Sequence, residues 1–315
     1  MTTAFMFPGQ GSQAIGMGKS LAENFAAARS VFEEVDAALG QRLSTLMWEG
    51  PEIELTLTEN AQPALMAVSM AVIRVLEAEH GITVANTAAF VAGHSLGEYS
   101  ALAAAGTFSL ADAARLLKTR GLAMQSATPV GTGAMAALLG LDFATAAAAA
   151  AEAAQGEVCQ AANDNSDGQV VVSGTKAAVE RCAEIAKAKG AKRAVMLPVS
   201  APFHCALMQP AADVMAEALA KVTMHAPCVP LIANVGALPL TDPAAIRASL
   251  VAQVTGTVRW RECVGFMVAQ GVARFYEIGA GKVLTGLSKK NAPEATAFAI
   301  NSAEDIAAAA AQIKG

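Results

Sequence analysis

Short apolar runs alternate with longer stretches of helical spacing along most of this chain, the pattern of an α/β protein. Residues 3–7 form an apolar run closed by Pro8-Gly9, which predicts a first strand. Further short runs at 88–92, 229–233 and 274–278 predict strands. Helical spacing at 21–39, 62–78, 95–105, 110–125, 244–253, 260–270 and 303–313 predicts helices, with Pro63 in the first turn of the second.

The interior has an order of its own. Residues 135–139 predict a strand, 143–154 a helix and 158–162 a strand, followed by a turn over 163–168. Residues 170–173 predict a strand, 177–189 a helix and 193–197 a last strand. That is β-α-β-β-α-β, a ferredoxin-like arrangement. Pro129-Val130-Gly131-Thr132-Gly133 and residues 198–202 read as its linkers. The expected architecture is α/β: a core from 1–130 and 199–315 with a parallel sheet, and an inserted ferredoxin-like subdomain at 131–198.

Composition narrows the functional classes. Of 315 residues, 54% are hydrophobic and 16% charged, which gives ample material for a core and excludes intrinsic disorder. A net charge of −5 and an aromatic content of 5% argue against a nucleic-acid partner. The mean hydropathy of +0.41 comes largely from alanine. The stretch 134–151 has the length of a short membrane span and a single charge, Asp142, but Gly140-Leu141-Asp142 breaks it. No other run of spanning length lacks charge, the first basic residue is Lys19, and Pro8-Gly9 interrupts the early apolar run. A cytoplasmic protein with no membrane partner is expected. The five cysteines form no Cys-x-x-Cys pair and read as free thiols in a reducing compartment. The four histidines show no ligand spacing, so no metal site is expected.

The sharpest chemical signal is Gly93-His94-Ser95-Leu96-Gly97, between a predicted strand and a predicted helix. This is the context of a nucleophile elbow. Glycines permit the sharp turn, the serine hydroxyl is lifted above the sheet edge, and the helix N-terminus favours negative charge. The amide of Leu96 is then placed to donate to an oxyanion. The bland alternative is a glycine-rich strand-to-helix turn with a surface serine.

A serine nucleophile needs a base. His204 is the best candidate, in an irregular segment after a predicted strand, where α/β sites sit. His80 precedes Gly81 as a helix-capping residue would, His225 falls between a helix and a strand, and His94 should point away from the hydroxyl. The glycine-rich loop 7–13 lacks the pattern of a P-loop or dinucleotide fold; it is either an ordinary βα turn or a source of an oxyanion-binding amide. Arg120 is a basic residue on an otherwise apolar helix, either a rigid fork for a carboxylate or a snorkelling surface residue.

Together these segments resemble the malonyl-CoA:acyl carrier protein transacylase family, which includes the acyltransferase domains of polyketide and fatty acid synthases. The motifs are Phe-Pro-Gly-Gln-Gly-Ser-Gln at 7–13, Gln-Pro-Ala at 62–64 and Gly-His-Ser-Leu-Gly-Glu-Tyr-Ser-Ala at 93–101. Arg-Gly at 120–121, Gly-Thr-Gly-Ala-Met at 131–135, Phe-His at 203–204 and Tyr-Glu-Ile-Gly-Ala-Gly-Lys-Val-Leu at 276–284 follow in family order. One departure is Thr255-Gly256-Thr257-Val258-Arg259-Trp260, which lacks the proline that the family often has before Val-x-Trp.

The resemblance implies an α/β-hydrolase-like core with a ferredoxin-like insertion. It implies Ser95 as the acylated nucleophile, His204 as its base, and the amides of Gln10 and Leu96 as the oxyanion hole. Arg120 would bind the malonyl carboxylate, Gln62 would line the pocket, and Phe203 favours malonyl over bulkier units. The main-chain carbonyl of Gln253 would orient the histidine, giving a Ser-His dyad rather than a carboxylate triad. The implied reaction moves malonyl from malonyl-CoA to the phosphopantetheine thiol of holo acyl carrier protein through a malonyl-serine ester, for fatty acid synthesis, and needs no metal or bound cofactor. A basic patch including Lys187, Lys189, Lys192 and Arg193 is a candidate docking surface for an acidic carrier, or else a solvated face. A serine hydrolase, with Asp242 as a possible third triad member, and a non-catalytic carrier-binding scaffold are the competing classes.

Overall fold

In β1 (Thr2–Phe7) every residue from Ala4 to Phe7 is fully buried. A strand with neighbours on both edges and helices on both faces has no solvent side, so its sequence runs apolar without alternation. A computed structural model describes residues 2–199 and 201–314; Ser200, in the predicted second linker, lies outside them. β1 pairs in parallel with β2 (Phe90–Gly93) on one side and β9 (Val272–Ile278) on the other. β7 (Leu231–Ile232), β8 (Pro239–Leu240) and β10 (Thr296–Ile300) extend the sheet, in the order β10-β9-β1-β2-β7-β8. Its pairings are parallel except between β7 and β8.

The second sheet is antiparallel. β3 (Gly133–Leu139), β4 (Cys159–Ser166), β5 (Gln169–Thr175) and β6 (Arg193–Met196) lie in the order β4-β5-β3-β6. Helices Phe143–Ala154 and Lys176–Ala188 cover one face with alanines, Val179 and Cys182, and this apolar cluster is distinct from those around the first sheet. The chain is thus an α/β protein with a parallel-rich sheet and a ferredoxin-like antiparallel one.

Several elements differ from the sequence expectation. The helix predicted at 62–78 runs Thr58–His80, so Pro63 sits inside it rather than in its first turn. This helix has the length and apolarity of a membrane span, but most of it is buried inside the fold, packed on helices Ala26–Leu39 and Leu110–Ser126. The stretch 21–39 is two helices, Lys19–Asn24 and Ala26–Leu39, because Phe25 is extended (φ −129°, ψ 122°). The run 229–233 yields only the two-residue strand β7.

The turn predicted at 163–168 shrinks to Asp167-Gly168, with 163–166 continuing β4. Those polar residues hold strand geometry because the first sheet's unit satisfies them. Val258 donates to the Ala162 carbonyl at 2.8 Å and accepts from the Asp164 amide at 2.9 Å. The buried Asp164 carboxylate receives Arg261 Nε at 3.0 Å. β4 therefore ties the two sheets together beside the cavity described next.

Candidate active site

The carboxyl ends of β1 and β2, adjacent in the parallel sheet, deliver the two glycine-rich loops to one place, where ligand sites of open α/β sheets form. The turn after β2 is an elbow. Ser95 has φ 54°, a left-handed conformation that a non-glycine residue holds only when its surroundings impose it. The flanking glycines are obligatory: a Cβ on Gly93 would lie 1.9 Å from the Gly97 carbonyl carbon, and one on Gly97 would lie 2.2 Å from the Phe7 oxygen. Helix Gly97–Ala104 starts directly behind the serine.

His204, which also has positive φ (58°), reaches the serine from the segment between β6 and helix Gln209–Ala220. Its Nε2 lies 2.7 Å from Ser95 Oγ, and its Nδ1 lies 2.9 Å from the main-chain oxygen of Gln253. A carbonyl only accepts, so Nδ1 carries the proton and Nε2 is free to take one. Burial, assisted by the Arg120 charge, pulls the His204 pKa down to about 3, so the imidazole is neutral at physiological pH. Asp242 is no third triad member: its side chain caps helix Pro243–Thr255 by accepting from the Ala245 amide at 2.8 Å.

Arg120 is 1% exposed and also points at the serine. It donates to Ser95 Oγ at 3.1 Å, to Gln62 Oε1 at 2.8 Å and to Gln253 Oε1 at 2.9 Å. Because the guanidinium only donates, Ser95 Oγ accepts from it and directs its own proton at His204. The adjoining glycine makes this reach possible, since a Cβ on Gly121 would stand 2.4 Å from Glu59 Cα, so helices Leu110–Ser126 and Thr58–His80 touch backbone to backbone. No carboxylate forms an ion pair with Arg120 among the described residues. Burial lowers its pKa, but a guanidinium stays charged. Its partners at rest are therefore neutral groups, and its Nε is buried without any.

A cavity of about 460 Å³ opens on these groups, lined by Gln10, Gln62, Ser95, Leu96, Arg120, Phe203 and His204 among others. The amides of Gln10 and Leu96 take no backbone partner among the described residues. Gln253 stands behind the cavity wall, fully buried. All eight site residues anticipated from the sequence thus gather here. His94 faces the other way at its Nε2, 2.8 Å from Asn165 Oδ1, with its ring against Trp260. Lys187 and Lys189 are engaged by Glu184 and Glu152 at 2.8 and 2.9 Å.

Sequence reasoning missed the layer beneath. Asn234 Oδ1 accepts the Ser95 amide at 2.8 Å, and its Nδ2 donates to the Gly93 carbonyl at 2.8 Å, clamping the elbow. Glu98, in the quoted elbow motif but given no role, is fully buried under both. Burial pushes its carboxyl up to about 8, against the opposite pull of N–H groups from Asn234 and Gln253 and of the Arg120 charge. Met124, Met135 and Asn163 also line the cavity; Met135 ends the quoted motif at 131–135 but was given no role, and no signal marked the other two.

The acyl transferase domain family matches residues 4–309 of this sequence. The chain belongs to that family. Among curated relatives of this acyl transferase is the malonyl CoA-acyl carrier protein transacylase of Salmonella typhimurium, 50% identical over 98% of this chain and 99% of its own length. Among solved structures, the acyl-carrier-protein-S-malonyltransferase of Bartonella henselae has a TM-score of 0.97 at 58% identity over 100% of both chains. A malonyl-transacylase solved in complex with a type II PKS acyl-carrier protein has a TM-score of 0.96 at 44% identity, covering 99% of this chain and 100% of its own.

Proposed function

We propose that this acyltransferase is a cytoplasmic [acyl-carrier-protein] S-malonyltransferase that moves malonyl from malonyl-CoA to holo acyl carrier protein through a malonyl-serine ester, supplying fatty acid synthesis. The observation that carries the reading is the buried guanidinium of Arg120, in ion-pair contact with no carboxylate among the described residues, beside a serine-histidine pair. A buried cation without an anion is costly, and a substrate carboxylate meets it. The relatives' activities agree with it. The catalytic core would be 1–130 and 199–315, with 131–198 as the ferredoxin-like subdomain whose β4 borders the cavity.

In this mechanism, His204 Nε2 removes the Ser95 proton as Oγ attacks the thioester carbonyl. Charge develops on the carbonyl oxygen, where the amides of Gln10 and Leu96 receive it. The Gln253 carbonyl holds Nδ1–H and stabilises the imidazolium. That imidazolium returns its proton to the departing coenzyme A sulfur, leaving the serine ester. The carrier's thiol then gives its proton to His204 and attacks the ester, and collapse of the second tetrahedral intermediate returns the proton to Ser95. Throughout, Arg120 grips the malonyl carboxylate through two parallel hydrogen bonds, and Gln62 and Phe203 shape the space around it. Side chains and amides supply every step.

The reading is tested by mixing the protein with malonyl-CoA and holo acyl carrier protein and following malonyl-carrier formation against release of free malonate. Thioester on the carrier at a rate matching coenzyme A release supports transfer. Free malonate with no carrier product would make the protein a hydrolase.

A further inference from the structure

Glu98 sits one helical turn beyond the nucleophile with no exposed surface. One carboxylate oxygen accepts the backbone N–H of Asn234 at 2.5 Å, the other the Nε2 of Gln253 at 2.5 Å. Gln253 Nε2 also donates to the Ser95 carbonyl at 2.8 Å, while its Oε1 accepts Arg120 Nη2 at 2.9 Å. The same residue's backbone oxygen holds His204 Nδ1 at 2.9 Å.

The polarity of this network runs one way. The Ser95 peptide carbonyl can only accept, and both Glu98 oxygens lie against N–H groups, so the amide NH2 of Gln253 faces Glu98 and Ser95. Its oxygen is then left for Arg120, which can only donate. Without an acceptor at position 98, only the Ser95 carbonyl and a long contact to Asn234 Oδ1 at 3.4 Å would keep that amide from turning over and setting donor against donor at the guanidinium. Buried networks of this kind are coupled, and a single mismatched member disturbs its neighbours.

Resting on the malonyl-transfer reading above, we propose that Glu98 is a positioning residue: by fixing the side-chain orientation of Gln253 it aims Arg120 at the acyl carboxylate, and through Asn234 and Gln253 it joins Arg120, Ser95 and His204 to one support. It touches no substrate. Its influence on acyl selectivity passes entirely through Gln253.

The test is Glu98→Gln, nearly the same in shape, which must present an NH2 to one of two donors. The readout is the ratio of malonyl to acetyl kcat/KM, counted per competent site by the fraction of protein acylated in intact-mass measurements. A misaligned Arg120 damages malonyl transfer selectively, so the ratio should fall about tenfold or more. Glu98→Asp, which keeps a carboxyl group with no NH2, should hold the ratio closer to that of the unmodified protein even where its rate drops. A support with no part in recognition would slow both acyl groups equally; an unchanged ratio in Glu98→Gln overturns the proposal. Should Glu98→Gln fail to fold, Gln253→Leu carries the same test. It keeps the backbone carbonyl for His204 and removes the amide, and there too an unchanged ratio overturns the proposal. A wild-type protein that transfers no malonyl at all would instead overturn the functional reading.

Discussion

Replacing Arg120 by alanine removes a buried cation that faces the reacting serine. The side chain is 1% exposed and donates three hydrogen bonds, to Gln62, Ser95 and Gln253, all to neutral oxygens. For malonyl transfer the loss is a desolvated charge pair, worth about 2–5 kcal/mol when one partner is deleted. That corresponds to a drop in kcat/KM from about 30-fold to several thousandfold. For acetyl transfer the same deletion removes a buried charge that acetyl cannot neutralise, so the rate should hold or rise. The opposite responses make the ratio of the two kcat/KM values the informative quantity. Stability should fall by up to a few kcal/mol, since the orphaned amide oxygens of Gln62 and Gln253 cost roughly 1–3 kcal/mol each, while the loss of an unpaired buried cation offsets part of that. Steady-state transfer from malonyl-CoA and acetyl-CoA to holo carrier protein, with circular dichroism as the check on folding, measures it. An unchanged malonyl-to-acetyl ratio in a folded Arg120→Ala protein would make Arg120 a structural residue.

Three further outcomes follow from the same geometry. His204→Ala should slow acylation and transfer alike, because one imidazole serves both attacks; pre-steady-state thiol release and carrier acylation separate the two steps, and comparable damage from His94→Ala would move the base elsewhere. The acid limb of kcat/KM should lie well below 6.5: the base works unprotonated, and burial with the Arg120 charge favours that form down to about 3. Arg120→Ala should raise this limb, since removing a nearby cation eases protonation, and a limb at an ordinary histidine value in the unmodified protein would contradict the burial argument. Gly97→Ala should abolish activity and destabilise the fold, because its Cβ would meet the Phe7 oxygen at 2.2 Å; wild-type thermal stability would refute the required close approach.

What could be read from the sequence was what local spacing encodes. The elbow announced itself through two glycines around a serine, and Arg120 through a charge on an apolar helix, because each motif answers a local steric or electrostatic demand. The supporting layer did not. Glu98 and Asn234 lie 136 residues apart and meet only across the sheet, so nothing near either marks the pair. The polar run 163–166 has turn composition, and it became strand only because Val258 and Arg261 satisfy it from another part of the chain. β10 went unpredicted because its residues 296–300 are a short, half-buried edge segment with weak alternation. Asp242 looked like a spare carboxylate and proved to be a helix cap, a role set by the proline after it.

The central claim is a malonyl ester on Ser95 that a carrier thiol removes. Intact-protein mass spectrometry after mixing with malonyl-CoA tests it most directly. The account predicts a gain of one malonyl group, mapped by digestion to Ser95 and absent in Ser95→Ala. On addition of holo acyl carrier protein, that mass should leave the enzyme and appear on the carrier. Labelling that persists in Ser95→Ala, or a label discharged only to water, would contradict it.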